Sequence, residues 1–435
     1  MKQKKIQQQI TDLLHSYYSE KPQKFVPGET PILYAQAIYD DKEVSEMLDS
    51  VLSGWLGLSK KGALFEQQLA DYVGVKHSLL TNSGSSANLL AVSALSSWQL
   101  PNHLQPGDEA IVAACSFPTT VNPLIQNQLV PVFVDVNPET HNLNADHLDK
   151  ALSNKTRLIM ICHNFGNPNE MDKVMAFAKK HKLFVIEDNC DALGSTYDGK
   201  KTGSFGQLAT ESFYPAHHMT LAGEGGAILI NENRLLRIVQ SLRDWGRACW
   251  CGASGGPPNG VCNARFKFKI DGMPYDHKYI FNHIGYNLKP TEMQAAMGLQ
   301  QIKRLPEFVE KRKNNFKIYH KFFSKYQDFF ILPKALPKSD PSWFSYLLTV
   351  KEDAPFDRFE ITNFLEEHKI QTRPSFSGNI LRQPAYKRIE HRVVGTLEHS
   401  DKIFQHTFFI GIHPGLTEEH LNYVMDTFDK FLAKY

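Results

Sequence analysis

The sequence predicts an α/β protein: a large domain built on a mostly parallel central sheet, followed by a smaller α+β domain. Three observations carry that expectation. Short β-rich runs recur between residues 77 and 231, and several are apolar on both faces, as in a sheet covered by helices on each side. Helical patterns fall between these runs, so strand and helix alternate. From "RFKFKIDGMPYDHKY" (265–279) onward the texture changes to a long polar helix and then mixed elements.

Taken in order, "MKQKKIQQQITDLL" reads as an amphipathic helix within an N-terminal extension, residues 1–30. It has a basic start but no apolar core or small-residue cleavage site, so it is not read as a secretory signal. The expected strands are "HSLLTN" (77–82), "EAIVAAC" (109–115), "VPVFVDV" (130–136), "TRLIMICHN" (156–164), "LFVIEDN" (183–189), "ESFYP" (211–215) and "AILIN" (227–231). Helices are expected over 88–98 and 171–182, and the long one from Met293 to Ser324. "WFSYLLTV" (343–350), a helix near 356–368 and a helical C-terminus complete the smaller domain. The expected division is 31–305 for the large domain and 306–435 for the small one.

Composition narrows the class. Of the 435 residues, 42% are hydrophobic and 22% charged, which is ordinary for a globular chain. The formal net charge is +2, which gives no reason to expect nucleic acid or a membrane surface as partner. The longest apolar runs fall far short of the roughly 20 residues of a membrane helix. A cytoplasmic protein without stable disulfides is expected.

Four stretches suit a bound cofactor. "TNSGSSANLLA" (81–91) is a strand, a Gly/Ser turn and a helix start, where free N–H groups attract an anion. On these residues alone an ordinary helix cap serves equally well. "CSFPTTVNPL" (115–124) offers Phe117 as a ring to stack on, or simply as core. "VIEDNCDALG" (185–194) ends a buried strand in two carboxylates, and Asp188 suits either the protonated nitrogen of a pyridine ring or a plain solvated strand end. "SFYPAHHMTLAGEGG" (212–226) has two histidines where one large enzyme class carries a lysine, and no lysine lies between Lys201 and Lys267.

Of the six cysteines, Cys115 and Cys162 sit in apolar strand ends and read as core. Cys190, Cys249, Cys251 and Cys262 form the spacing C-x58-C-x-C-x10-C, and three of them lie in a Gly/Pro-rich loop within 245–275. Four converging cysteines suggest zinc or an iron–sulfur cluster, and the residues alone do not choose between them.

The order of these parts, closed by "HIGYNLKPTEMQAA" (283–296), resembles the DegT/StrS sugar-nucleotide aminotransferases of fold type I over roughly residues 30–435. The resemblance implies that Ser85 and Ser86 bind the phosphate of a pyridoxal phosphate (PLP) or pyridoxamine phosphate (PMP) cofactor. Ser212 and the partner subunit's Asn287 would assist in a homodimer. Phe117 would stack on the ring, Asp188 would pair with its nitrogen, and Asp191 would add to the cofactor site. His217 stands at the family's lysine position. Histidine cannot form the covalent link, but it can act as a base.

"SFYPAHH", "RDWGR", "YDHKY" and "GYNLK", with the four cysteines, are similar to the CDP-4-keto-6-deoxy-D-glucose 3-dehydrase subfamily and its lipopolysaccharide O-antigen homologues. That implies PMP-dependent loss of the C3 hydroxyl from a nucleotide-linked 4-keto-6-deoxyhexose. It also implies a [2Fe-2S] cluster on Cys190, Cys249, Cys251 and Cys262, fed by a flavin and iron–sulfur NADH-dependent reductase. The last cysteine gap is a few residues longer than the subfamily's, and "TLAGEGG" carries one extra residue. "QTRPSFSGNILRQPAY" (371–386) resembles the sugar-nucleotide segment, with Arg373 facing a diphosphate; His283 and Tyr286 are further substrate candidates. Two other readings stay open: a cluster-free 3-dehydratase of the colitose type, and a non-catalytic protein of this fold with structural zinc.

Overall fold

All seven expected β-runs enter one sheet in the computed structural model, which describes residues 2–20, 24–249, 262 and 264–435. The strands are His77–Thr81, Glu109–Ala113, Val130–Val134, Thr156–Cys162, Phe184–Asp188, Leu208–Ser212 and Gly226–Ile230. Their spatial order is 77–81, 226–230, 208–212, 184–188, 156–162, 109–113 and 130–134. Only 226–230 runs against the rest. An eighth strand, Arg392–Val393, arrives from the far end of the chain and pairs with 130–134.

Side chains along these strands point alternately to opposite faces, and both faces are buried. Ala110, Val112, Leu158, Met160 and Ile186 join one core cluster. Their neighbours Ile111, Ala113, Ile159, Ile161 and Val185 join another on the other side. That is why the runs read as continuous apolar stretches rather than alternating ones. Truncating a fully buried member such as Ile159 to alanine costs about 2–5 kcal/mol.

The run expected at 211–215 forms its strand earlier, at Leu208–Ser212. Antiparallel pairing of Leu208–Ser212 with Ile230–Gly226 sets that register, so Phe213–Pro215 lie beyond the strand end. The helix expected from 88 begins at Gly84, because the Ser83 hydroxyl caps it by accepting from the Ser86 N–H. Within 245–275, Phe268–Ile270 and Met273–Tyr275 form a hairpin around Asp271-Gly272. Both turn residues have positive φ, 49° and 82°, which Asp-Gly accommodates easily.

The C-terminal part builds a four-stranded antiparallel sheet in the order Phe330–Ile331, Ser345–Val350, Thr407–Gly411, Arg373–Pro374. Its core is rich in aromatic rings, among them Phe323, Tyr346, Phe408 and Phe428, and it takes in Phe25 and Ile32 from the start of the chain. The helix Glu292–Phe323 joins the two regions, starting in a capping box between Thr291 and Gln294. Leu299, Ile302 and Leu305 pack under the large sheet. Phe316, Tyr319 and Phe323 pack into the small sheet's core. Among the described residues no helix is long and apolar enough to cross a membrane.

Candidate active site

The strands 77–81, 156–162, 184–188 and 208–212 end at a common cavity of about 450 Å³. Ligands of open α/β sheets bind at such carboxyl ends, because strand ends and helix starts leave backbone groups free there. On strand 184–188 the two carboxylates part company. Glu187 points away and is consumed by structure: it accepts from the N–H groups of Gly203, Phe205 and Gly206 and stands 3.1 Å from His163. Asp188 points into the cavity. Its Oδ2 accepts from Asn88 Nδ2 at 2.8 Å and Thr120 Oγ1 at 2.7 Å. Its Oδ1 accepts from the Cys190 N–H at 3.3 Å, with the Cys190 thiol also beside the carboxylate. A carboxylate anchored in this way and facing the cavity is suited to a ring N–H⁺.

The helix Gly84–Leu95 aims its N-terminus at the same space, with Gly84 and Ser85 in the lining. Gly84 is needed there: a Cβ would sit 2.6 Å from Ser212 Cβ and 3.0 Å from Cys190 Sγ. Ser212 lines the cavity, whereas the Ser86 hydroxyl is bonded to Ser83 Oγ at 3.0 Å. Phe117 flanks the opening, 44% exposed, with its ring edge-on to Phe376. An anion-binding helix start, an available carboxylate and an open aromatic face fit a phosphorylated pyridine cofactor.

His217 reaches the cavity from the turn after strand 208–212, where its N–H donates to Tyr214 O at 2.9 Å. Its Nδ1 stands 3.4 Å from Asp191 Oδ1. The alignment falls short of a hydrogen bond, so Nδ1 is left without one. Asp191 is also in the lining, and among the described residues no lysine is. His218 faces the opposite way. It is 2% exposed, with Nε2 3.4 Å from Ser342 O, and burial together with the Arg312 cation lowers its pKa well below the ordinary value.

An aromatic wall closes the far side, drawn from residues that no single motif contains: Tyr34, Phe344, Phe376 and Phe409. Phe165 stacks on Phe376 at 4.6 Å behind it. Both have left-handed backbones, φ 55° and 44°, at a cost of about 1–3 kcal/mol each. Arg373 lines the rim, its guanidinium 4.5 Å above the Tyr34 ring and 3.9 Å from Glu366. The sequence motifs pointed to Asp188 but not to its anchors, although Asn88 and Thr120 lie inside two of them.

Asn287, His283 and Tyr286 lie outside this chain's cavity. The Asn287 side chain accepts from Lys289 Nζ at 2.8 Å. His283 is held between the hydroxyls of Ser97 and Ser241, at 2.8 and 2.9 Å. Tyr286 packs against the large core.

The cysteines divide differently. Cys115 and Cys162 are buried, and Cys162 also lines the cavity floor. Cys190 lines it too, and burial with the adjacent Asp188 carboxylate pushes its thiol well above the usual value. Cys249 and Cys262 are half-buried, with Cys262 Sγ 3.3 Å from His277 Nε2. Cys251 lies outside the described residues. Among the described residues no three His, Cys, Asp or Glu side chains form a metal site. With Cys251 outside them, the described residues do not contain the complete four-cysteine set expected from the sequence.

Known proteins resemble this chain over nearly its whole length. Lipopolysaccharide biosynthesis protein RfbH of Salmonella typhimurium is 46% identical over 433 residues, covering 98% of each chain. dTDP-4-dehydro-2,6-dideoxy-D-glucose 3-dehydratase of Saccharopolyspora spinosa is 45% identical, covering 94% of this chain and 88% of that one. Among solved structures, E. coli GDP-4-keto-6-deoxy-D-mannose-3-dehydratase with bound hydrated PLP superposes with a TM-score of 0.81 at 27% identity. That match covers 92% of this chain and all of the other. Residues 38–429 match the DegT/DnrJ/EryC1/StrS aminotransferase family, and the chain belongs to that family.

Proposed function

We propose that this protein is a sugar-nucleotide 3-dehydratase that uses PMP, or PLP converted to it, in deoxysugar biosynthesis. The observation that carries the reading is the presence of His217, and among the described residues of no lysine, in the cavity that holds Asp188. Bound there, the coenzyme supplies an amine to condense with a sugar ketone and a ring that draws electron density from the reacting carbons. The chain's own residues do the rest. The helix start at Gly84 and Ser85, with Ser86 and Ser212, binds the phosphate. Asp188, fixed by Asn88 and Thr120, keeps the ring nitrogen protonated. His217 takes the proton from the coenzyme C4′ carbon while Asp191 orients its ring. Phe117 covers the coenzyme, the aromatic wall excludes water, and Arg373 receives the diphosphate.

The finer reading is a CDP-linked 4-keto-6-deoxyglucose as substrate, on the way to a 3,6-dideoxysugar of lipopolysaccharide O-antigen, in the cytoplasm. It includes a [2Fe-2S] cluster on Cys190, Cys249, Cys251 and Cys262 and a flavin and iron–sulfur NADH-dependent reductase as partner. It also includes division into domains at 31–305 and 306–435. A homodimer belongs to it as well, in which the partner subunit's Asn287 reaches the phosphate and His283 and Tyr286 lie near the shared site. Exposed Trp98, Phe281 and Ile284, the last fully exposed, support a buried interface on that face.

The test is to incubate the protein, PMP and CDP-4-keto-6-deoxyglucose in ¹⁸O-water. Label entering the C3 hydroxyl supports C3–O cleavage; formation of a 4-amino sugar without exchange would make the protein a transaminase instead. A second reading, a cluster-free dehydratase of the colitose type, is supported by 32% identity over 381 residues to GDP-4-keto-6-deoxy-D-mannose 3-dehydratase of Yersinia pseudotuberculosis. Iron analysis of anaerobically purified protein separates the two.

A further inference from the structure

We propose that Arg312 is a positioning residue for His217: its guanidinium locks the main chain carrying the base to that of Phe344, whose ring lies 5.4 Å from the His217 ring in the cavity lining. The proposal rests on the reading of His217 as the base.

Arg312 lies on the helix Glu292–Phe323 and is 1% exposed. It does not line the cavity; it sits behind it. Its Nη1 donates to Phe344 O at 2.8 Å, and its Nη2 to His217 O at 3.0 Å and Ala216 O at 3.4 Å. The three residues whose carbonyls it holds, Ala216, His217 and Phe344, all line the cavity. They come from different regions. His217 follows a strand of the large sheet, and Phe344 precedes the strand Ser345–Val350 of the small one. One planar group thus fixes the base against the neighbouring Phe344 ring, 5.4 Å away. Only arginine offers a rigid fork of donors wide enough to reach three carbonyls in two directions.

The charge has a second effect. Among the described residues no carboxylate forms a salt bridge with Arg312, although Asp191 attracts it from further away. Burial lowers Arg312 to about 10, so it stays charged near neutrality. The two histidines beside it are held neutral by burial and by that charge: His413 falls to about 3, and His218 falls well below its ordinary value. A buried guanidinium bound to carbonyls alone is a poor way to gain stability, since apolar side chains of similar volume do as well or better. Its position behind the base and near Asp191 gives it a different use.

Two variants of the full chain, Arg312→Met and Arg312→Lys, test this. In coenzyme-free protein, amide hydrogen exchange of the peptide spanning 216–221 should rise at least tenfold in the Met variant, with strand 184–188 unchanged. Lys should restore part of the protection. With PMP and sugar nucleotide, Arg312→Met should lower kcat by about 10²-fold, the effect of misplacing a reacting group by about 1 Å. KM and PMP affinity should move less than twofold. In a His217→Asn background the same change should cost less than twofold, because the residue it positions is gone. Equal losses in both backgrounds, or parallel losses in KM and PMP affinity, would reduce Arg312 to a general stabiliser and overturn the proposal. Unchanged exchange over 216–221 would overturn it too. If Arg312→Met does not fold, Arg312→Lys carries the same comparisons. Should His217→Asn itself retain the native rate, the base reading fails, and the catalytic part of this proposal with it.

Discussion

His217 Nδ1 and Asp191 Oδ1 stand 3.4 Å apart in the cavity lining, with Asp191 three residues along the chain from Asp188. The two aspartates face different partners. Asp188 is pinned by Asn88 and Thr120 and open toward the cavity. Asp191 accepts from the Phe165 N–H at 3.3 Å and turns its other oxygen to the imidazole. An aspartate beside Nδ1 favours the tautomer that leaves Nε2 free to take a proton. Asp191→Asn should therefore lower kcat by about 10–10²-fold, less than loss of the base itself, and leave PMP affinity unchanged. Steady-state kinetics beside a PMP titration separates the two effects.

Exchanging the two neighbouring histidines one at a time should give opposite signatures. His217→Asn should keep coenzyme binding and thermal stability, while C4′ proton loss slows by about 10²–10⁴-fold. His218→Asn should leave the rate within a few-fold and cost about 1–3 kcal/mol of stability, because His218 is buried against Ser342 and Arg312. Deuterium washout at C4′ together with thermal melts is the measurement. A larger rate loss at His218 would transfer the base to that residue.

Without a lysine in the cavity, coenzyme should bind reversibly. Borohydride reduction of the PLP-loaded protein, followed by dialysis and peptide mass analysis, should leave no pyridoxyl group attached. A reduced adduct on any lysine would contradict the reading. His217→Lys should gain such an adduct, since Asp188, Ser85 and Ser212 still surround the site.

For the cysteines, anaerobically purified protein should contain two irons and two sulfides per chain. Cys251→Ala should lose them, together with the reductase-dependent 3-deoxy product, but keep ¹⁸O exchange at C3. Cys115→Ala and Cys162→Ala should keep both. One zinc and no iron would remove the electron-transfer role.

Acid should destabilise the fold through a histidine outside the cavity lining. His141 is 2% exposed, and burial lowers its pKa to about 4. A histidine neutral in the folded state is protonated in the unfolded chain below about pH 6.5. Stability is therefore lost as pH falls from about 6.5 toward 4, by on the order of 3 kcal/mol from this residue. His141 has φ 60°, which asparagine tolerates, so His141→Asn should fold and flatten the fall in melting temperature between pH 7 and 5.

Much of the scaffold was legible without coordinates, because its signals are local. Strands covered on both faces must be apolar throughout, so seven of them stood out as runs. The absence of a lysine between 201 and 267, the Gly/Ser turn before Asn88 and the strand end at Asp188 are likewise plain in the chain. What the sequence could not determine depends on contacts between distant residues. Which of His217 and His218 meets the cavity was settled by the short turn after Ser212 and by burial of the second ring beside Arg312, some ninety-five residues away. The wall of Tyr34, Phe344, Phe376 and Phe409, and the strand Arg392–Val393 at the sheet edge, carry no periodic signature. The wall residues are gathered with Phe165 in one apolar cluster, and the strand is held by its pairing with 130–134. Local residue patterns specify which chemistry a segment can offer. The direction in which each side chain offers it is decided by the non-local burial that tertiary packing imposes.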